Sequence, residues 1–452
     1  MANFRKWTKR LGIALLALLA VLAVLWGLSR ALYPTAEQRD ALALMQQPPP
    51  PPGENAFAAM WTLDHAVPAE EMAGIVGHDS ERLEALQATR ALDESDPAGF
   101  ESARDQYPDL SPSESDRMMF CAARDGNCLE RVGEDPAGYR ELVERNRQLI
   151  DRGDALADYD HYRSLLPANW ETLSPPLSAA RFPATRQALW FVEGRTDEAL
   201  AATCRNIAGW RRLTESADQL VVRMLGQLFV TELHGSLLAE MLAELPADHP
   251  LPANCKPALA APTPSELSLC RAMRGEYAFG AWAMESIETL DNSNLGPLGR
   301  LRSAILFSAE ATNAERAVHF AQTCSDAELS RIVADIPEVD APEPAGLIRL
   351  ACVGNFIGCA LNGIAAPAYT DYRLRAQDYG ARLELLATLT WLRENAERPG
   401  PIDELLDQRP ESLRSPTRRV EIGEDGDSLR VRMFGARDGE TWSVPLPAAL
   451  QQ

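Results

Sequence analysis

The chain has 452 residues, with 44 Lys and Arg against 65 Asp and Glu, a net charge of −21. That balance repels polyanions and excludes nucleic acid as a partner. At 46% hydrophobic content the length supports two or three buried cores.

Leu11 to Ser29 is uncharged and almost wholly apolar, with Arg5, Lys6, Lys9 and Arg10 directly before it. As an α-helix its 19 residues span roughly 28 Å, close to the hydrocarbon thickness of a bilayer. The basic cluster predicts a cytoplasmic tail over residues 1–10 and translocation of the rest. This apolar core is longer than that of a cleaved signal. Its only small-x-small triplet, Ser29-Arg30-Ala31, has a charge in the middle, so an uncleaved anchor is expected. Trp7 and Trp26 sit near its two ends, where indole rings favour the interface. No later window is long and apolar enough for a second span. Five cations precede the first acid, Glu37, which leaves the remainder near −26.

Residues 30–54 read as a linker. Pro34 to Gln47 continues as helix, and Pro48 to Pro52 is a run of five prolines, a stiff polyproline II spacer of roughly 15 Å that would stand the protein off the membrane. From residue 55 to 369 a helical domain is expected. Helical spacing recurs over Ala56–Leu63, Ser80–Ala91, Asp135–Leu156, Pro183–Glu193, Thr196–Leu213, Asp218–Leu245, Glu266–Leu290 and Leu298–Cys324. In Asp218–Leu245 the polar positions Arg223, Gln227, Thr231 and His234 draw one narrow wet stripe along a helix otherwise suited to the centre of a bundle. Residues 370–452 form a C-terminal module: the helix Thr370–Ala396, a change of character near Pro399, then Arg419–Ile422, Ser428–Phe434 and Thr441–Val444 as an antiparallel meander. That meander is too small to stand alone and needs the preceding helix as cover.

Eight cysteines, all beyond the anchor, point to an oxidising compartment. Cys121 and Cys128 bracket an Asp125-Gly126-Asn127 turn, and Cys352 and Cys359 repeat the spacing, so each pair is expected to bridge. Cys255 and Cys270 flank a proline-rich loop and are expected to staple it. Cys204 and Cys324 then either pair with each other or remain buried thiols. Lysine is confined to Lys6, Lys9 and Lys256, a compositional bias that removes most lysine chemistry.

No catalytic signature is present. The densest reactive tract is Asp158-Tyr159-Asp160-His161-Tyr162, whose Asp158, Asp160 and His161 offer carboxylate and imidazole together but fall at ordinary helical positions. The histidines at 65, 78, 161, 234, 249 and 319 show no metal-binding spacing, and His234 reads as a core histidine. No catalytic residue, metal site or cofactor is assigned. The hairpin Ala188–Trp210 resembles one tetratricopeptide-type unit, without a second copy.

The stretches Gly53–Leu63, Leu142–Leu165, Ala188–Leu245 and Asn355–Leu386, with the Cys121/Cys128 loop, resemble a family of uncharacterised single-pass envelope proteins of Gram-negative bacteria. The resemblance implies the inner membrane as the anchored bilayer and the periplasm as the site of the bulk, and it brings no activity. The C-terminal helix and meander are weakly similar to type II secretion pseudopilin end domains, but a Gly-Phe processing site and a glutamate in the apolar segment are missing. The expected fold is mainly α, a disulfide-stapled helical domain with a small α+β end. The leading function is non-enzymatic: binding or scaffolding of an unknown envelope protein through a helical surface, with the bilayer held by Leu11–Ser29. The alternatives are a periplasmic hydrolase whose carboxylates converge in a cleft and an accessory factor of a secretion or pilus system.

Overall fold

The computed structural model describes residues 2–90, 100–123, 126–168, 174–294, 296–337, 346–365, 369–398, 400–435 and 440–450. Asp125, Ala91 and Pro399, on which the turn, helix-end and boundary expectations rest, lie outside them. The protein is mainly helical and ends in a small three-stranded antiparallel sheet.

Helix α1 (Ala2–Leu32) is continuous, and its stretch Trp7–Leu32 is long and apolar enough to cross a membrane; its residues 7–25 are exposed, and only its end, at Ser29, is buried against the rest of the chain. Helix α2 (Ala36–Leu44) starts at Thr35, whose side chain accepts from the Gln38 N–H while the Gln38 side chain accepts from the Thr35 N–H. This reciprocal cap fixes where the helix begins.

The linker is not a stand-off. Ala41 and Met45 are buried in a cluster with Leu220, Met273, Tyr277, Phe320 and Ala376. Arg274 donates to the Leu44 carbonyl at 2.8 Å and Arg163 to the Pro48 carbonyl at 2.5 Å. The proline run therefore lies between two docked points and works as a strap. Both of its flanks are bound to the globular part, at Leu44 and Pro48 on one side and Glu54 on the other.

The main core begins at α3 (Phe57–Trp61) and α4 (Met72–Arg90). The expected helix over 135–156 is two, α5 (Pro136–Arg145) and α6 (Arg147–Ala155), divided at Asn146, whose side chain turns back to the Leu142 carbonyl. Helix α7 (Pro183–Val192) turns at Gly194, with φ +81°, into α8 (Thr196–Ser216), the centre of the bundle. Only glycine takes that backbone without strain. Gly209 lets the turn after α6 press on α8, since a Cβ there would overlap Ala157.

The apolar stretch after α8 is α9 (Leu220–Leu228), a π-helical segment Phe229–Gly235 and α10 (Ser236–Ala243). A second pair, α11 (Cys270–Asn294) and α13 (Ala309–Ala321), packs beside it. The single helix expected over 298–324 breaks between α12 (Pro297–Leu306) and α13, where the Ser308 side chain caps the Ala311 N–H. Then follow α14 (Asp326–Val333), α15 (Leu350–Val353) and α16 (Phe356–Ala365). Helix α17 (Thr370–Glu394) joins both cores, with Ala376 in the second and Leu383, Leu386, Leu389 and Leu392 in the first.

Strands β1 (Val420–Ile422), β2 (Ser428–Arg432) and β3 (Thr441–Pro445) pair in that order, with Val420 opposite Val431 and Leu429 opposite Val444. Their buried face covers α17, as the sequence implies, and β3 also packs on α10. Leu429, Val431 and Met433 thus join the same apolar cluster as α8. Beside the sheet, Arg418 is buried between two carboxylates. It pairs with Asp335 and, at 2.7 Å, with Asp378, while Asp378 accepts from the N–H groups of Phe434 and Gly435.

Four disulfides are present. Cys121–Cys128 and Cys352–Cys359 match the expectation, but Cys255 pairs with Cys204 and Cys270 with Cys324. The proline loop is not stapled to itself. The turn Cys255–Ala258 packs on α8, which brings it to Cys204, and α11 and α13 are antiparallel neighbours, so the start of one meets the end of the other. No free thiol remains.

Two outcomes are expected. Loop-closure arithmetic for the 51-residue separation of Cys204 and Cys255 gives about 4 kcal/mol, against about 2.5 kcal/mol for the 7-residue loop of Cys121 and Cys128. Urea titration in detergent should show C204S/C255S less stable than C121S/C128S, and non-reducing peptide maps should show the crossed pairing. Arg418→Met leaves two buried carboxylates without their cation, which costs about 3–5 kcal/mol. A midpoint unchanged from wild type would mean the pair contributes nothing.

Candidate functional site

The Asp158–Tyr162 tract forms a clasp. It follows α6 as a single turn, Leu156–Asp158, and then runs extended. Asp158 pairs with Arg205 at 3.0 Å on the surface of α8. The Asp160 carboxylate accepts from the Glu54 N–H at 2.8 Å, and the His161 carbonyl accepts from the Ala56 N–H at 2.8 Å. Gly53, with φ +103°, has no room for a side chain because a Cβ would overlap Asp160. Tyr162 is buried, its hydroxyl donating to Gln219 at 2.5 Å. The His161 imidazole is buried too, and burial lowers its pKa. Nδ1 of that ring has no partner, so the ring is linked to neither carboxylate through it. The structure does not join Asp158, Asp160 and His161 in one site: Asp158 bonds to α8, whereas Asp160 and the His161 backbone bond to residues 54–56 and seal the end of the strap.

The stripe expected to be wet is dry. Arg223, Gln227, Thr231 and His234 are all buried. Arg223 donates to the carbonyls of Thr214 at 3.0 Å and Glu266 at 2.6 Å, and burial lowers its pKa to about 10. His234 Nδ1 meets Gln187 Oε1 at 3.0 Å, and burial pushes its pKa down to about 4. Neighbouring Arg211 grips Glu266 with two hydrogen bonds of 2.6 and 2.8 Å. Buried among helices, these polar groups bond inside the protein, although Arg223 Nε, Gln227 Nε2 and His234 Nε2 have no partner.

Two concavities among the described residues bear on function. A cleft of 990 Å³ lies between the π-helical segment and β3, lined by Glu232, Glu240, Asp378, Arg382 and Trp442 among others. Three of its four acids are engaged: Glu232 pairs with Arg382 at 3.1 Å, Asp378 holds Arg418, and Glu240 accepts from the Leu129 N–H at 2.8 Å, while the fourth, Glu440, is exposed. Burial raises the Glu240 carboxyl above its ordinary range.

The larger concavity, a groove of 1460 Å³, runs between residues 246–261 and the last turns of α17. Pro246, Pro250 and Pro252 shape one wall and Thr390, Trp391 and Glu394 the other. Arg393 ties the walls together by donating to the carbonyls of Leu242 at 2.8 Å and Pro246 at 2.7 Å. Trp391 is half-buried with Arg398 stacked 5.8 Å from its ring centre, and Lys256 is exposed at the rim. Nothing in the sequence singled out this groove. Its one signal is Trp391, off the Leu389/Leu392 stripe on a helix that otherwise buries leucine. Among the described residues no group of three or more His, Cys, Asp or Glu is placed to hold a metal ion.

Comparison with protein-family models, curated proteins and solved structures finds no match for the chain. Function therefore rests on this geometry.

His234 gives a pH test. The unfolded imidazole titrates near 6.5 and the buried one about 4, so the unfolded state takes up the proton first and stability falls as pH drops through that window. At pH 5 the loss relative to pH 7 amounts to about 2 kcal/mol from this residue. Urea unfolding of His234→Asn should lack that part of the acid sensitivity; an identical pH profile would show the ring is not the cause.

Proposed function

We propose that this chain is a membrane-anchored binding protein. Helix α1 crosses the bacterial inner membrane with residues 1–10 in the cytoplasm, and the globular part, in the periplasm, takes up another envelope protein in the groove between residues 246–261 and α17. One contrast carries the proposal. The reactive tracts and the three inner acids of the carboxylate cleft are committed to structural bonds, whereas the groove is open, braced by Arg393 and presents an indole with charged groups of both signs. Such a mixture of an aromatic anchor with a polar rim suits protein recognition. The four disulfides support an oxidising compartment. The resemblance to Gram-negative envelope proteins supports the periplasm.

A hydrolase centred on Glu240 is the second reading, favoured by the raised pKa of that acid. It ranks lower because two of the other acids in that cleft, Glu232 and Asp378, are paired with Arg382 and Arg418. The accessory role in secretion rests only on the order of helix and meander.

A photo-crosslinking residue at Thr390 or Lys256 should give the same discrete adduct in intact cells, and one at exposed Met118 should not. Trp391→Glu should weaken the Thr390 adduct several-fold. Absence of an adduct from both groove positions, or an identical adduct from Met118, would overturn the assignment.

A further inference from the structure

Helix α12 is inside out. Leu298, Leu301 and Ile305 recur at i, i+3 and i+7, the spacing of one helical face. Their exposures are 83%, 58% and 41%, while the one buried residue of the helix is Ser303. The neighbouring segment behaves in the same way, with Ile348 fully exposed and Leu347 and Phe356 beside it uncovered. Both segments are free of acids, from Asn292 to Ala309 and from Gly346 to Ala365, in a chain whose net charge is −21. Arg300 and Arg302 make the first of them basic.

Both segments also meet the same place on α1. Trp26 Nε1 donates to the Ile305 carbonyl at 3.0 Å, Arg30 to the Phe307 carbonyl at 2.8 Å, and Ser29 Oγ accepts from the Gly354 N–H at 3.0 Å. Leu25, Leu306, Ile348 and Phe356 together line an apolar recess of 590 Å³. A helix that enters the hydrocarbon at Leu11 reaches its far boundary after about 20 residues, at Arg30. These contacts therefore sit at the depth where acyl chains give way to headgroups.

We propose that α12 and the segment Leu347–Phe356 form an apolar foot that rests in the outer leaflet of the bilayer spanned by α1. The inference rests on α1 being the membrane span. Continuity with α1 identifies the occupant: the exposed face is an extension of a surface already in lipid, at interfacial depth. Its leucines and isoleucines enter the acyl boundary, with the exposed Arg302 at the level of the lipid phosphates. The foot and the docked strap together hold the groove at a fixed height and orientation over the membrane.

Because all eight cysteines are in disulfides, one added cysteine takes a single fluorescent label. The full chain in phosphatidylethanolamine–phosphatidylglycerol nanodiscs would carry the label at Leu298→Cys, Ile348→Cys, Leu18→Cys or Met118→Cys. Labels at 298 and 348 should be quenched by a shallow nitroxide lipid and be several-fold less accessible than 118 to an aqueous quencher. Label 18 should respond to a deep nitroxide lipid. If 18 responds while 298 and 348 behave like 118, the foot is wrong and the anchor stands. If 18 is not reached by lipid, the anchor fails and the foot with it. Labels 298 and 348 shielded from both quenchers would mean that protein covers the face, which also overturns the proposal.

Discussion

The docking of residues 29–56 onto the globular part is the constraint on which the remaining architecture depends. Ser29, Arg30, Leu44, Pro48, Glu54 and Ala56 each form a hydrogen bond to a distant element. A chain held at so many points loses its freedom once, on folding, and afterwards behaves as part of the body. The apolar helix is thus a rigid extension rather than a tether. The Asp158–Tyr162 tract closes this strap, and the structural bonds of Asp160, His161 and Tyr162 lie there.

Arginine does much of the internal bonding. Arg152 donates to the carbonyls of Thr62, Leu63 and Val67, Arg181 to those of Arg117 and Cys121, and Arg211 to those of Ala258 and Ala260. Each guanidinium ties down a loop whose carbonyls have no helical or sheet partner. A planar fork with five donors can meet several carbonyls together, which a lysine ammonium on a flexible stem does less well. The near absence of lysine, read from the sequence as compositional bias, coincides with this use of arginine.

The positions that looked chemical and those left open differ for one physical reason. Buried polar groups must find partners, so the polar residues most evident in the sequence, such as His234 and Arg223, are consumed by the interior. The groove was not visible as a motif because its walls come from residues 246–261 and α17, more than a hundred positions apart. Its shape exists only once Arg393 has bridged them.

The sequence by itself determined the apolar helix, the mainly helical class, the antiparallel meander and its cover by α17, and the two short disulfide loops. Each follows from local periodicity or from a turn between nearby residues, which short-range sterics and burial decide. Tertiary structure alone decided the crossed pairing of Cys204 with Cys255 and Cys270 with Cys324, because it depends on which helices lie side by side. It also turned the proline run from a spacer into a strap, since docking of α2 is a long-range contact that proline stiffness does not encode. The helix breaks at Asn146 and Ser308 follow from caps that compete with a continuing apolar pattern, and packing chose the caps. Leu298 and Leu301 read in sequence only as part of a helix; their outward placement beside the end of α1 marks them as a surface.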